Sequence, residues 1–528
     1  MRNIEIDRRG LFALGAGGAA VVGFPRLAFA QETASPVDAI VAAFMRAFEV
    51  PGMGIAIVRP GQPAFTRGYG IREIGKPGMV DADTLFAIAS NTKSFVGASL
   101  AMLVEEGKLG WDEPVVTYMP DFKMSDGDAT RMMTVRDLLV HRSGLALGAG
   151  DLMRFPRSNH SRMDLFRGLQ HLKLTRGFRS GYAYDNILYV VAGVLIERVS
   201  GLKWEDFVTA RVLRPLGMRT AVADRELLRI TNVAARHARL GPPFRGVGKL
   251  ERVEPNESIA GSPAGGIHAS AREIAKWFDV QIGRGQSPGG PRLWSEAQSD
   301  QLWAPQVITT ATKGPNAESP TRSVLQGYAL GWFVSQFRDR RLLSHSGGRS
   351  GQITQTALLP EQGIGVAVFT NTEDRIPSQI LRNALLDHTL GITSTDWLAV
   401  AKAADKARID EAMREVAGGY VKRPDGAASL PLDAYAGAYR DPWYGDIVVT
   451  RRNGGLRIDF TRTPLFKSKL EPWGKDAFRT HFAGGAGEDA VVQFVVESGK
   501  VPRMTMKALS PLADFSYDFH GLRPSRVQ

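Results

Sequence analysis

Cysteine is missing from all 528 residues. Its absence removes thiol nucleophiles, disulfides and cysteine-ligated metals, and it suits an oxidising compartment where a stray thiol is a liability. Histidine is sparse. The nine are scattered singly, with no His-Glu-x-x-His or comparable spacing, so no metal and no cofactor is expected. Beyond the N-terminal stretch no apolar run is long enough to span a bilayer. Acidic residues are outnumbered, giving a formal net charge of +12 and a pI near 9.8. This excess carries no basic run, zinc spacing or basic-aromatic repeat, so nucleic acid is not an expected partner.

The N-terminus reads as an export signal rather than as fold. Arg8-Arg9-Gly10-Leu11-Phe12 precedes a Gly/Ala-rich, weakly apolar run to Phe24, and Ala28-Phe29-Ala30 fits a small-residue cleavage site. The paired arginines resemble a twin-arginine signal, with an ordinary secretory signal as the alternative. Either places the mature protein in the periplasm or outside the cell. Removing residues 1–30 takes away four arginines and two acids and leaves a net charge of +10.

From residue 31 to 417 the pattern is that of an α+β domain. Helical spacing over Asp38–Phe48 gives way to a predicted hairpin, Met53–Arg59 and Ala64–Tyr69, around Pro60-Gly61-Gln62-Pro63. Helices are expected at Ser90–Leu109, Thr134–His141, Ile187–Val199, Trp204–Val212, Ala271–Ile282 and Glu296–Trp303. Residues 146–180 read as an irregular loop over a site. Four strands then follow at hairpin spacing: Tyr328–Ser335, Arg341–His345, Gln352–Leu359 and Gly363–Thr370. Helices over Pro377–Leu390 and Ser394–Val416 close the unit. The expected fold is an antiparallel sheet with strands from both ends, flanked by helices and carrying a helical subdomain. A Gly/Pro/Ser-rich linker at 418–429 leads to a separate all-β, barrel-like domain over 430–528, where Leu456, Ile458 and Phe460 alternate with Arg457 and Asp459 and Phe515–His520 reads as a further strand.

Ser90-Asn91-Thr92-Lys93 stands at a predicted helix start, which sets a lysine one turn beyond a serine. A serine hydroxyl is a poor nucleophile until a neighbour takes its proton, and lysine can do so only when burial or another cation lowers its pKa from about 10.4. Alone, Ser-x-x-Lys is as readily a helix cap followed by a solvent lysine. Three further pieces change that reading. Tyr184-x-Asn186 offers a phenol for proton relay and an amide for Lys93 and a substrate carbonyl. His345-Ser346-Gly347-Gly348 ends a predicted strand, where glycines let backbone N–H groups approach a substrate. Pro263-Ala264-Gly265-Gly266 is a close-approach turn.

Together, Ser90-x-x-Lys93, Tyr184-x-Asn186 and His345-x-Gly347 resemble the three motifs of the penicillin-recognising serine hydrolases: class C β-lactamases, D-Ala-D-Ala carboxypeptidases, D-aminopeptidases and related esterases. The resemblance covers residues 37–395, with support at Thr134–Leu145 and Pro263–Ser270. The C-terminal region, with Tyr435-x-Gly437-x-Tyr439 and Trp473, resembles the lipocalin-like domain of some of these peptidases. It implies that Ser90 forms an acyl-enzyme, with Lys93 and Tyr184 sharing the acid–base work. Asn186 would hold Lys93 and the substrate amide, and the N–H groups of Ser90 and Gly348 would form the oxyanion hole. The implied substrate is a short peptide, including linearised or D-residue-containing ones, or a small ester.

One departure stands out. Class C β-lactamases carry lysine where this chain has His345, so the charge there is missing or pH-dependent. The esterase and peptidase branches fit better than the antibiotic-degrading ones. Arg349 reads as a solvated loop residue, with replacement of that charge as the alternative. Gly285-Gln286-Ser287-Pro288-Gly289 matches a different serine elbow, but that motif needs a strand before the serine and a predicted helix precedes it here. A ligand-binding or sensing protein of the same fold is the reading from outside enzymology.

Overall fold

A computed structural model describes residues 35–309, 320–323, 325–482 and 487–527. The export signal read over residues 1–30 lies outside the described residues. An eight-stranded antiparallel sheet forms the first unit. In spatial order its strands are Gln62–Gly70, Gly52–Arg59, Ile364–Thr370, Gln352–Leu359, Arg340–Arg349, Phe333–Phe337, Gly327–Tyr328 and Val307–Ile308. The early strand Gly52–Arg59 pairs with the late strand Ile364–Thr370 in the register Met53↔Thr370, so the sheet takes strands from both ends of the intervening chain. Helices Pro36–Phe48 and Arg375–Thr389 contribute to the core on one side of the sheet, and Ala271–Ile282 packs on the other side of the same strands.

The helix Thr92–Glu105 is buried on every face from Thr92 to Leu103, as expected of a central helix rather than an amphipathic surface one. The helical subdomain packs around it, with Ile187–Ser200 likewise buried from Ile187 to Ile196. A closed eight-stranded barrel forms the second unit, starting at Gly437–Asp441 and closed by Ser525–Arg526 pairing with both that strand and Lys500–Ala508.

Several expectations are corrected. Ser90 lies in a 3-10 turn, Ala89–Asn91, and the α-helix begins at Thr92 and ends at Glu105. Asn91 does not cap that helix because its side chain is drawn away, donating to the Ile88 carbonyl and Thr354 Oγ1 and accepting from Thr356 Oγ1. The Thr134–His141 helix is only a 3-10 turn, Arg136–Leu139. The loop expected over 146–180 contains the helix Arg162–Gly168, opened by a Ser161/Asp164 capping box and held by the buried Leu165 and Phe166. The strand expected over Tyr328–Ser335 is broken at Gly331, whose positive φ of 99° and approach to the Lys93 carbonyl form a tight turn against the central helix. His345 does not end its strand, which runs on to Arg349. Finally, Phe515–His520 is not a strand. It is an irregular segment ending in a 3-10 turn, Phe519–Gly521.

Candidate active site

The Ser90 turn is pinned from two directions. Short strand Phe86–Ala87 pairs with His268–Ala269, and Thr354 Oγ1 donates to the Ile88 carbonyl at 3.0 Å. Between them Ala89 holds a left-handed φ of 47°, a conformation that costs a non-glycine residue energy and persists only where surroundings enforce it. This strained turn presents Ser90, half-buried, to a cleft of about 710 Å³ that it helps to line.

Lys93 is completely buried. Its Nζ donates to Asn186 Oδ1 at 2.8 Å and to the Ala264 carbonyl at 2.7 Å, and it lies 3.1 Å from Ser90 Oγ. Burial pushes its pKa well below the usual lysine value, with the nearby Arg154 guanidinium adding to the shift and Asp151 opposing it. In its neutral form, which this shift favours, the amine has two N–H groups and one lone pair. Two of the three partners are acceptors without a proton to give, so the lone pair is left for the hydroxyl of Ser90.

The Tyr184 phenol faces Ser90. Burial raises its pKa, and the hydrogen bond with Ser90 only partly offsets that, so the phenol stays protonated near neutral pH. Its ring is held by His141 at 4.1 Å and by Phe515, edge-on at 5.6 Å. Asn186 Nδ2 donates to Asp151 Oδ2 at 2.8 Å, so this amide bridges Lys93 and a buried carboxylate.

His345 lies in the strand that closes the opposite wall. The ladder to Phe333–Phe337 stops at Ser344↔Phe333, so beyond it the strand packs instead against the Ser90 turn. His345 is buried, which drives its pKa well below the ordinary value, with Lys93 adding to the effect. Tyr328 donates to Nε2 at 3.0 Å, and Nδ1 donates to the Ser346 carbonyl at 2.7 Å, which fits one neutral tautomer. Gly347 is sterically required: a Cβ there would sit 2.1 Å from the Ile88 carbonyl oxygen. At Gly348 the nearest atom would be the flexible tip of Arg375, at 2.7 Å.

All seven residues singled out in the sequence, Ser90, Lys93, Tyr184, Asn186, His345, Gly347 and Gly348, thus converge on this cleft and the strand beside it. Arg349 is a correction. It is buried, not solvated, and its Nη2 donates to the Gly265 carbonyl at 2.6 Å, while desolvation brings its pKa down to about 10. Ser287 sits in a turn after the helix Ala271–Ile282 and does not line the cleft.

The sequence reading missed Asp151. It is fully buried and accepts from Arg154 Nε at 2.8 Å, from Asn186 and from Ser516 Oγ at 2.7 Å. The flanking Gly148 and Gly150, both at positive φ, were the one local sign of a special turn there. Arg375 was also missed. It is exposed beside Gly348 and donates to Ser346 Oγ at 3.2 Å.

The sheet, the helical insertion and a serine beside a buried lysine define the β-lactamase/transpeptidase-like class. Residues 37–391 match the Beta-lactamase family, and residues 421–526 match a family described as a domain of unknown function (DUF3471). The chain belongs to the Beta-lactamase family and is a serine hydrolase. It is 27% identical to the unguisins hydrolase ungD' of Aspergillus campestris over 79% of each chain, and 24% identical to protein flp of Staphylococcus aureus over 68% of each. Its fold is similar to the octameric penicillin-binding protein homologue from Pyrococcus abyssi, at a TM-score of 0.60 and 20% identity over 93% of this chain and 99% of that one. It is also similar to the D-amino acid amidase from Ochrobactrum anthropi, at a TM-score of 0.54 and 21% identity over 68% and 98%. No helix among the described residues is long and apolar enough to cross a membrane.

Proposed function

We propose that the protein hydrolyses amide bonds in short peptides through a Ser90 acyl-enzyme. The observation that carries this reading is the buried Lys93 amine, depressed in pKa and satisfied by two acceptors, with Ser90 Oγ as its remaining partner. Neutral Lys93 takes the Ser90 proton as the oxygen attacks the carbonyl carbon. Protonated Tyr184 gives its proton to the leaving nitrogen and recovers one from Lys93. The N–H groups of Ser90 and Gly348 hold the oxyanion, each donor being worth about 10² to 10³ in rate. Asn186 orients Lys93 and the substrate amide. Water, activated by the same base, then releases the acyl group.

The substrate class we assign is short peptides, linearised or D-residue-containing ones among them, and similarity to an unguisins hydrolase supports hydrolysis as the reaction. Neutral His345 leaves a substrate carboxylate without a partner at that position, and Arg375 is the cation beside Gly348 that would meet it. Export through the N-terminal signal, and division at 31–417, 418–429 and 430–528, belong to the same reading.

The test is intact-protein mass after mixing with a fluorophosphonate, with Ser90→Ala as control, followed by turnover of peptides with free or amidated C-termini and of p-nitrophenyl esters. A Ser90-dependent adduct with peptide turnover is the expected result. Ester turnover alone would move the assignment to a carboxylesterase, and no adduct would favour a binding protein.

A further inference from the structure

The segment misread as a strand, Phe515–His520, does something other than close the barrel. Leaving the strand Lys500–Ala508, the chain runs out of the barrel and along the cleft, where Asp514, Phe515 and Ser516 line the cavity. Three contacts then tie it to the turn that carries Asp151. Ser516 Oγ donates to Asp151 Oδ2 at 2.7 Å. The Asp518 carboxylate accepts from the Gly150 N–H at 2.8 Å and the Leu152 N–H at 3.0 Å, one on each side of Asp151. The Phe515 carbonyl packs so close to Gly148 that a Cβ there would come within 2.6 Å of it. Ser516, Asp518 and Asp151 are all buried.

From Asp151 the contacts continue inward: Asn186 Nδ2 donates to the same Oδ2 that Ser516 occupies, and Asn186 Oδ1 receives Lys93. A primary amide facing a lysine can present oxygen or nitrogen. The carboxylate behind it selects the nitrogen, so the oxygen must face Lys93. A residue of the segment between two barrel strands therefore shares the carboxylate that sets the orientation of the amide that holds the base.

We propose that Ser516, with Asp518 clamping the turn, is a positioning residue for Lys93, so that the C-terminal unit, through this segment, is a working part of the active site rather than an appendage. The inference rests on Lys93 acting as the base for Ser90. The titratable and charged groups around Lys93 are Asp151, Arg154, Asp185, Arg349, Tyr184 and Tyr189, with the buried His141 and His345 depressed in pKa and, behind Asp151, the Asp518 carboxyl raised by burial and by the Asp151 charge. Losing the Ser516 hydrogen bond concentrates the Asp151 charge. That favours protonated Lys93 and moves the acid limb of activity to higher pH.

The experiment uses the full chain with Ser516→Ala, Ser516→Cys and Ser516→Thr. It measures kcat, KM, the pH profile of kcat/KM and the rate of Ser90 labelling by a fluorophosphonate. The expected result is a loss in kcat on the order of tenfold to a hundredfold in the alanine variant, with little change in KM and the acid limb displaced upward. Threonine, which keeps the hydroxyl, should restore both, and cysteine supplies a near-isosteric variant if alanine does not fold. Normal kcat and an unmoved pH profile in whichever of the alanine and cysteine variants fold, with Ser90 labelling at the wild-type rate, would overturn this inference alone. Failure of Ser90 labelling in the wild-type protein would instead overturn the reading beneath it.

Discussion

The barrel interior and the cleft are both buried, yet they are filled in opposite ways. In the barrel, aromatic rings meet one another: Phe466 stacks on Phe482 at 4.4 Å, and Phe494 meets Tyr435, Tyr439 and Phe478 at 5.2 to 5.9 Å. In and just behind the cleft, the buried ionisable side chains include Lys93, His345, Arg154, Arg349, Asp151 and Asp518, each displaced from its preferred state or paired with a neighbour. Rings in a dry interior gain from burial, whereas ionisable groups lose by it unless paired. Groups held at such a cost mark where the chemistry lies, and close-packed rings mark what keeps the shape.

The comparison can be broken by substitution. The largest expected effects are on turnover in the cleft: Ser90→Ala should abolish it, and Lys93→Met and Tyr184→Phe should each lower kcat/KM by about 10² to 10⁴ without unfolding the protein. Turnover near the wild-type rate in any of these would remove that residue from its role. Next comes a stability effect in the barrel. Phe494→Ala should cost about 3 to 5 kcal/mol by denaturant unfolding, while kcat per folded molecule changes little. A large loss of kcat with unchanged stability would reverse the division of labour. Smaller and sharper is the pair Gly347→Ala and Gly348→Ala. The first forces a Cβ onto the Ile88 carbonyl and should lose about 1 to 3 kcal/mol together with activity. The second meets only the movable Arg375 tip and should stay folded. Equal stabilities for the two would show that the strand has room that the packing denies.

Much of this was legible in the sequence, for identifiable reasons. Ser90 and Lys93 are three residues apart, so local geometry alone brings them together. The alternation in Leu456–Phe460 and the hairpin spacing of strands 333–370 are patterns that survive in the fold. What was not legible depends on long-range partners. Asp151 is one aspartate in an irregular stretch until Asn186 and, 365 positions away, Ser516 meet it. Phe515, Tyr517 and Phe519 alternate as a strand would, but the clamp on the Asp151 turn takes the backbone away from the ladder. Arg349 looked solvated because arginine usually is; burial beside the Gly265 carbonyl shows only in three dimensions. The helix Arg162–Gly168 was hidden by polar flanks around Leu165 and Phe166.

The most direct test of the central claim, that Lys93 is a neutral base poised on Ser90, is the rate of Ser90 acylation by a p-nitrophenyl ester as a function of pH, read by mass spectrometry of the labelled peptide. A base whose pKa is depressed by burial loses its proton at lower pH, so the rate should rise with pH and reach its plateau well below the ordinary lysine value of about 10.4. A rate that climbs about tenfold per pH unit all the way to pH 10 would mean that Lys93 titrates as an ordinary lysine, and it would contradict the account.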